Sequence, residues 1–217
     1  PSENGKVKIY NCGPTVYNYA HIGNLRAYIF EDLLRRSLQY FNLRVTQAMN
    51  LTDVDDKTIR GSQQAGLPLA DFTRRFKEAF FEDLKTLRIQ PAEHYPAATE
   101  HVPDMIRLIE KLFQRGYAYQ SSDGSVYFSI AKFQAYGRLA RLDLQTLKPG
   151  ARVAQDEYEK EEAQDFALWK AWDEDDGDVF WKTELGKGRP GWHIECSAMS
   201  MKYLGKTFDI HTGGVDN

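Results

Sequence analysis

The sequence predicts an α/β chain built on a parallel sheet that an insertion divides, and three observations predict it. Alternating apolar and polar residues at 7–10 and 43–49 flank one long helical run, the pattern of two parallel strands joined by a crossover helix. The turn-forming runs at 12–21 and 50–56 follow those two strands, so both fall at the carboxyl edge where α/β sheets take their ligands. After Arg189 a helix and a short apolar strand return, whereas residues 117 to about 185 have a different character.

The elements follow in order. Val7-Lys-Ile-Tyr alternates and runs into Asn11-Cys-Gly-Pro-Thr, which must turn. Leu25, Ile29, Phe30, Leu33, Leu34, Leu38 and Phe41 recur at helical spacing and give the first helix its expected apolar stripe. Leu43, Val45 and Met49 then line one side of the returning strand. Helices are predicted over 57–65, closed by Gly66 and Pro68; over 69–87, with Phe72, Phe76, Phe80 and Leu84 as its stripe; and over 101–115, closed by Gly116. Residues 117–120 and 126–130 flank Ser-Ser-Asp-Gly as a hairpin, and acidic stretches at 156–162 and 173–178 bracket apolar 166–169. A helix over 195–204 and a strand over 208–210 feed His211-Thr-Gly-Gly.

Composition excludes several classes. The 217 residues are 42% hydrophobic and 27% charged, which suits a globular chain and excludes disorder and fibrous repeats. The 28 Lys+Arg against 31 Asp+Glu leave a formal charge of -3, so there is no general basic field for non-specific nucleic-acid binding. With a mean hydropathy of -0.57, no apolar run approaches the roughly 20 residues of a spanning helix. The polar N-terminus lacks the apolar stretch of a signal peptide, and two cysteines do not make a disulfide scaffold, so a reducing cytoplasm is expected. Starting at Pro1 and stopping at Asn217 after a turn-like run, the chain reads as a piece of something longer.

Two motifs have plain readings. Gly186-x-Gly188-x-x-Gly191 fits a dinucleotide fingerprint in spacing, but Lys182-Thr-Glu precedes it and Pro190 sits inside it, so it reads as a loop. Asp53-x-Asp55-Asp56 lacks the downstream Gly and Glu of a calcium loop, and its carboxylates suit the start of the next helix. Tyr17-Asn-Tyr-Ala-His21-Ile-Gly-Asn24 is sharper: a Gly at a helix N-terminus, with an imidazole and an amide beside it, can grip a triphosphate. Cys12 and Cys196, read alone, are two independent small core residues.

His21-Ile-Gly-Asn24 resembles the HIGH signature of class I aminoacyl-tRNA synthetases, and Cys12-Gly-Pro-Thr-Val-Tyr17 makes the chain similar to the cysteinyl-tRNA synthetases. Four further blocks fall in that family's order: Asn50-Leu-Thr-Asp-Val-Asp-Asp56, Asp165-Phe-Ala-Leu-Trp-Lys170, the run from Gly188 to Met199, and Phe208-Asp-Ile-His-Thr-Gly-Gly-Val-Asp216. The resemblance implies a Rossmann-like parallel sheet split by a connective insertion. Its divisions are 1–116 for the first half of the catalytic domain, 117–185 for the insertion and 186–217 for the start of the second half.

It also implies ATP-dependent activation of L-cysteine, with Mg2+, and transfer to tRNA(Cys) by a cytoplasmic monomer with no membrane association. His21 and Asn24 are the implied catalytic residues; His21, Gly23, Asn24, Gly214 and Asp216 bind ATP; Gly13, Thr52 and Trp192 bind cysteine. Cys12 and Cys196 become ligands of a Zn2+ ion at the bottom of the amino-acid pocket, which selects thiol over alcohol where pocket shape discriminates poorly. His193 and His211 either line the site or serve as structural imidazoles, while His94 and His101 read as surface or helix-start residues.

Asn24 stands where the signature ends in His, and its amide remains a donor toward phosphate. The family's remaining zinc ligands, in a His-His-x-x-Glu stretch, and its KMSKS loop are expected beyond Asn217, so the fragment alone is expected to be inactive. Two rivals stay open: a mycothiol-type ligase that passes cysteine to an amino-sugar, and a non-catalytic fragment or paralogue of the same fold.

Overall fold

The computed structural model describes residues 5–139 and 165–214. In chain order the elements are β1 (Lys6–Asn11), α1 (Ile22–Tyr40), β2 (Arg44–Met49), α2 (Asp56–Ala65), α3 (Leu69–Thr86), α4 (Val102–Gln114), β3 (Ala118–Gln120), β4 (Val126–Phe128), β5 (Phe166–Ala171), β6 (Trp181–Thr183), β7 (Gly186–Pro190), α5 (Trp192–Leu204) and β8 (Ile210–Thr212). They form two compact units, whose described residues are 5–102 with 195–214, and 103–139 with 165–194.

The first unit holds a parallel sheet in the order β2-β1-β8, with Asn11 opposite Met49 on one side and Thr212 on the other. In β1 the alternation Lys6, Val7, Lys8, Ile9 gives way to buried Tyr10 and Asn11, because the carboxyl half of the strand is covered on both faces. The loop after β1 bridges the loop after β2: Thr52 N donates to the Pro14 carbonyl and Val16 N to the Thr52 carbonyl, both at 3.0 Å.

The helices differ in how their expected faces are used. In α3 the stripe Phe72, Phe76, Phe80 and Leu84 is buried as its spacing predicts. Phe80 and Leu84 pack with Tyr28, Met49 and Leu51, with Leu25 at the margin; Phe72 and Phe76 pack with Val16. In α1 the buried residues are Tyr28, Glu31 and Arg35, while Ile29, Phe30, Leu33 and Phe41 of the expected stripe are exposed. The helix is where periodicity put it; its apolar side is not its covered side.

Asp55 caps α2, accepting from Thr58 N at 2.7 Å, and Gly66 ends it at φ 62, as the carboxylate and glycine readings expected. Asp53 instead is buried, accepting from Thr99 N at 2.9 Å and pairing with Lys77 at 2.5 Å. His101 immediately precedes α4 and is buried rather than on the surface: its Nδ1 lies 2.7 Å from the Ala97 carbonyl and its Nε2 2.9 Å from the Tyr203 hydroxyl. His94 is half-buried with its ring 4.7 Å from Tyr203.

The second unit holds an antiparallel sheet in the order β3-β4-β5-β7-β6, around buried Tyr127, Leu168 and Trp169. The glycine run read as a loop is strand β7, paired with β5 and β6. Its glycines serve close approach: a Cβ on Gly188 would lie 2.1 Å from the Lys170 carbonyl oxygen, and one on Gly191 2.0 Å from that of Ala167. Of the expected acidic stretches, 156–162 lies outside the described residues, and in 173–178 Asp176 pairs with buried Arg189 at 2.6 Å.

Along the chain the first unit gives way to the second at 102/103 and resumes at 194/195, and β7 is hydrogen-bonded into the antiparallel sheet of the second. Two expected elements are displaced: α5 starts at Trp192 rather than 195, and β8 covers 210–212 rather than 208–210. No helix among the described residues is long and apolar enough to cross a membrane.

Candidate active site

Three strand ends and one helix build the site in the first unit. β1 delivers Cys12, the loop after β2 delivers Asn50 and Thr52, β8 delivers His211 and Thr212, and α5 brings Glu195 and Cys196. The Cys12 and Cys196 sulfurs lie 3.6 Å apart, and His211 Nε2 lies 3.7 Å from the Cys12 sulfur. Neither cysteine is in a disulfide. The Cys12 contact, and then burial, push the Cys196 thiol well up.

Gly13 is dictated by crowding. Its N–H donates to Asn50 Oδ1 at 3.0 Å, and a Cβ there would lie 1.8 Å from the Asn50 carbonyl oxygen. Asn50 Nδ2 reaches Thr52 Oγ1 at 3.1 Å, and that hydroxyl donates to Glu195 Oε2 at 3.0 Å. Burial drives the Glu195 carboxyl well above the ordinary range, and neighbouring Cys196 adds to it. Tyr10 is buried beneath, its phenol raised first by desolvation and then by Cys196.

A second cluster opens α1. His21 is the N-cap: its Nδ1 accepts from Gly23 N and its own N–H donates to Asn24 Oδ1, each at 3.1 Å. An accepting Nδ1 places the ring proton of the neutral imidazole on Nε2, and an accepting Oδ1 leaves the Asn24 amide to present its N–H groups. With no acidic residue in the first turn, the N-terminus of this 19-residue helix is a cluster of donors on a positive dipole end.

Two sulfurs on one tetrahedral zinc, each bonded at about 2.3 Å, sit about 3.8 Å apart, so Cys12 and Cys196 fit two of its positions. Among the described residues no set of three or more His, Cys, Asp or Glu side chains is arranged to hold a metal ion.

A family model for the catalytic domain of class I (C) tRNA synthetases matches residues 1–217. The chain belongs to that family. It is 63% identical over 219 residues to a cysteine–tRNA ligase of Brachyspira hyodysenteriae and 57% identical over 220 residues to one of Protochlamydia amoebophila. Each alignment covers 100% of this chain and 46% of the relative, so the chain spans about half the length of the curated relatives it matches. A solved structure of Mycobacterium tuberculosis methionyl-tRNA synthetase in complex with methionyl-adenylate superimposes with a TM-score of 0.67 at 12% identity, covering 93% of this chain and 47% of that one. That likeness is one of fold: the Rossmann-like parallel sheet of class I synthetases.

Within this class I synthetase domain, Cys12, Gly13, Thr52, Cys196 and His211 come together as one cluster, and His21, Gly23 and Asn24 as another. Trp192 and His193 lie in the second unit, with ring centroids 5.1 Å apart and His193 4.8 Å from Phe166. Gly214 is exposed beyond β8, and Asp216 lies outside the described residues. Sequence reasoning missed Tyr10, Asn50 and Glu195. Asn50 and Glu195 sit inside the quoted motif blocks, so position beside Thr52 and Cys196 was the signal for both.

Proposed function

We propose that this chain is the catalytic portion of a cysteine–tRNA ligase, a cytoplasmic monomer that activates L-cysteine with ATP and Mg2+ and passes it to tRNA(Cys). The observation that carries the reading is the meeting of Cys12 and Cys196 beside the Thr52–Glu195 pair, in a chain that matches, over all of its own length, about half of each cysteine–tRNA ligase relative. Parts outside this chain complete the activity.

The reaction asks the protein mainly for positioning and for donors aimed at developing phosphate charge. The cysteine carboxylate attacks the α-phosphorus of ATP and pyrophosphate leaves; the 2′-hydroxyl of the terminal tRNA adenosine then takes the cysteinyl group. His21 Nε2–H and the Asn24 amide, at the positive dipole end of α1, hold the phosphates, with Gly23 letting the backbone close on the imidazole. Gly214 is the ATP-binding residue beyond β8, and Gly13 and Thr52 shape the cysteine pocket. Cys12 and Cys196 would hold a zinc ion, which when bound supplies a soft Lewis acid for the substrate sulfur. Against an alcohol of the same shape, a site built for sulfur rejects serine without editing.

Cysteine-dependent ATP–pyrophosphate exchange tests this on the 217-residue chain and on a chain extended to the relatives' length. Exchange by the long chain and none by the short one is expected. Exchange by the short chain would overturn the need for further parts, and silence from the long one would overturn the assignment.

A further inference from the structure

The functional roles above leave the buried carboxylate of Glu31 unused. Glu31 lies on the covered face of α1, 6% exposed, and its Oε1 accepts from Thr212 Oγ1 at 2.7 Å, while its Oε2 has no hydrogen-bond partner among the described residues. Thr212 is the last residue of β8. Its hydroxyl also accepts from Asn11 Nδ2 at 2.6 Å, and its carbonyl accepts the Cys12 N–H at 3.0 Å. The chain of bonds continues inward: Gln47 Nε2 donates to Asn11 Oδ1 at 2.6 Å, Arg35 Nη1 to Gln47 Oε1 at 2.8 Å, and Arg35 Nη2 to Glu93 at 2.5 Å.

β8 needs such a device. It has three residues, pairs with β1 on one side only, and places His211 opposite Tyr10 and Thr212 opposite Asn11. A slip of one residue would turn His211 and Thr212 to opposite faces, and so short a ladder holds its register weakly. A carboxylate is an expensive core residue compared with a leucine, so what Glu31 supplies is direction rather than burial.

We propose that Glu31 is a positioning residue: acting through Thr212, it latches the carboxyl end of β8 to that of β1 and sets His211 and Cys12 in their mutual register. The latch stands on geometry alone; its consequence for cysteine binding rests on the ligase reading, and the two are tested separately.

Hydrogen exchange on the 217-residue chain tests the latch. In Glu31→Leu the Cys12 amide should exchange about tenfold faster or more, while amides of β1 that bond to β2 keep their protection. Glu31→Gln, whose carbonyl still accepts from Thr212, should restore the slow rate. Thr212→Val removes the donor from the other side and should match Glu31→Leu, so the test survives if the leucine variant fails to fold. An unchanged Cys12 amide in the variants that fold, or equal acceleration along the whole of β1, overturns the latch. In the extended chain Glu31→Leu and Thr212→Val should raise KM for cysteine about tenfold in pyrophosphate exchange and leave KM for ATP unchanged, while Glu31→Gln keeps both KM values near those of the parent. A fall in kcat alone, or an equal rise in both KM values, overturns the positioning role. An inactive extended parent chain overturns the ligase reading and leaves the exchange result standing.

Discussion

Helices α1 and α3 each carry apolar residues at helical spacing and bury opposite kinds of face. α3 presents Phe72, Phe76, Phe80 and Leu84 to the core, whereas α1 exposes Phe30 at 65% and Leu33 at 59% and buries Tyr28, Glu31 and Arg35. The difference teaches that periodicity reports which residues share a side, and only the neighbours decide which side is covered. α3 packs on α1, β2 and the loop after β1 through carbon. The covered face of α1 meets the carboxyl ends of the strands, where Asn11, Gln47 and Thr212 need polar partners.

The sharpest way to break this comparison is a matched truncation. Phe80→Ala should cost about 3–5 kcal/mol by chemical denaturation, since it empties a packed site against Tyr28, Met49 and Leu51. Phe30→Ala, on the exposed side of α1, should stay within about 0.5 kcal/mol. Similar losses for the two would erase the contrast.

A pH series sharpens it next. Burial raises the Glu31 carboxyl from its ordinary value to about 7, with the Thr212 and Asn11 bonds pulling the other way. The folded chain therefore keeps this proton where the unfolded chain has lost it, so the group's stabilising contribution is full below the unfolded value and is lost as pH rises toward 7. Glu31→Gln removes that loss, which amounts to about 3 kcal/mol between pH 4.5 and 7 or above. Denaturation midpoints of the two proteins should thus diverge with rising pH in favour of the variant. Parallel curves would show that Glu31 does not titrate in this window.

The smallest effect concerns the ends of the two helices. Asn42 follows α1 at φ 60, a conformation Asn tolerates, whereas Arg88 follows α3 at φ 55. Arg88→Gly should raise stability by about 1 kcal/mol, because its backbone carbonyl still accepts from Arg36 and only the strained conformation is relieved. A loss of stability would mean that the Arg88 side chain contributes more than its backbone costs.

Most elements were legible in the sequence because their punctuation is local: Asp55 and Gly66 bound α2, Gly116 follows α4, and Ser-Ser-Asp-Gly turns the β3–β4 hairpin. β7 was illegible because glycines that allow backbones to touch look, in sequence, like glycines that make a loop. The cysteine cluster was legible only through the family resemblance, since nothing local links Cys12 to Cys196. Glu31 and Glu195 were missed for the opposite reason: hydropathy assigns a carboxylate to the surface, and only the fold shows that Thr52 and Thr212 wait for them inside.

The placement of Cys12 also has a consequence in time. Its partner sulfur is 184 positions further along the chain, and β1 meets Thr212 across 201. β1 and β2 can pair once α1 has formed, but the other edge of β1 stays unpaired until the ribosome has delivered the whole second unit. At about 5–20 residues per second, that interval is on the order of 10–40 s. During it a strand edge and the Cys12 thiol are both uncovered, and chain synthesis, rather than any local search, sets when the two sulfurs first meet.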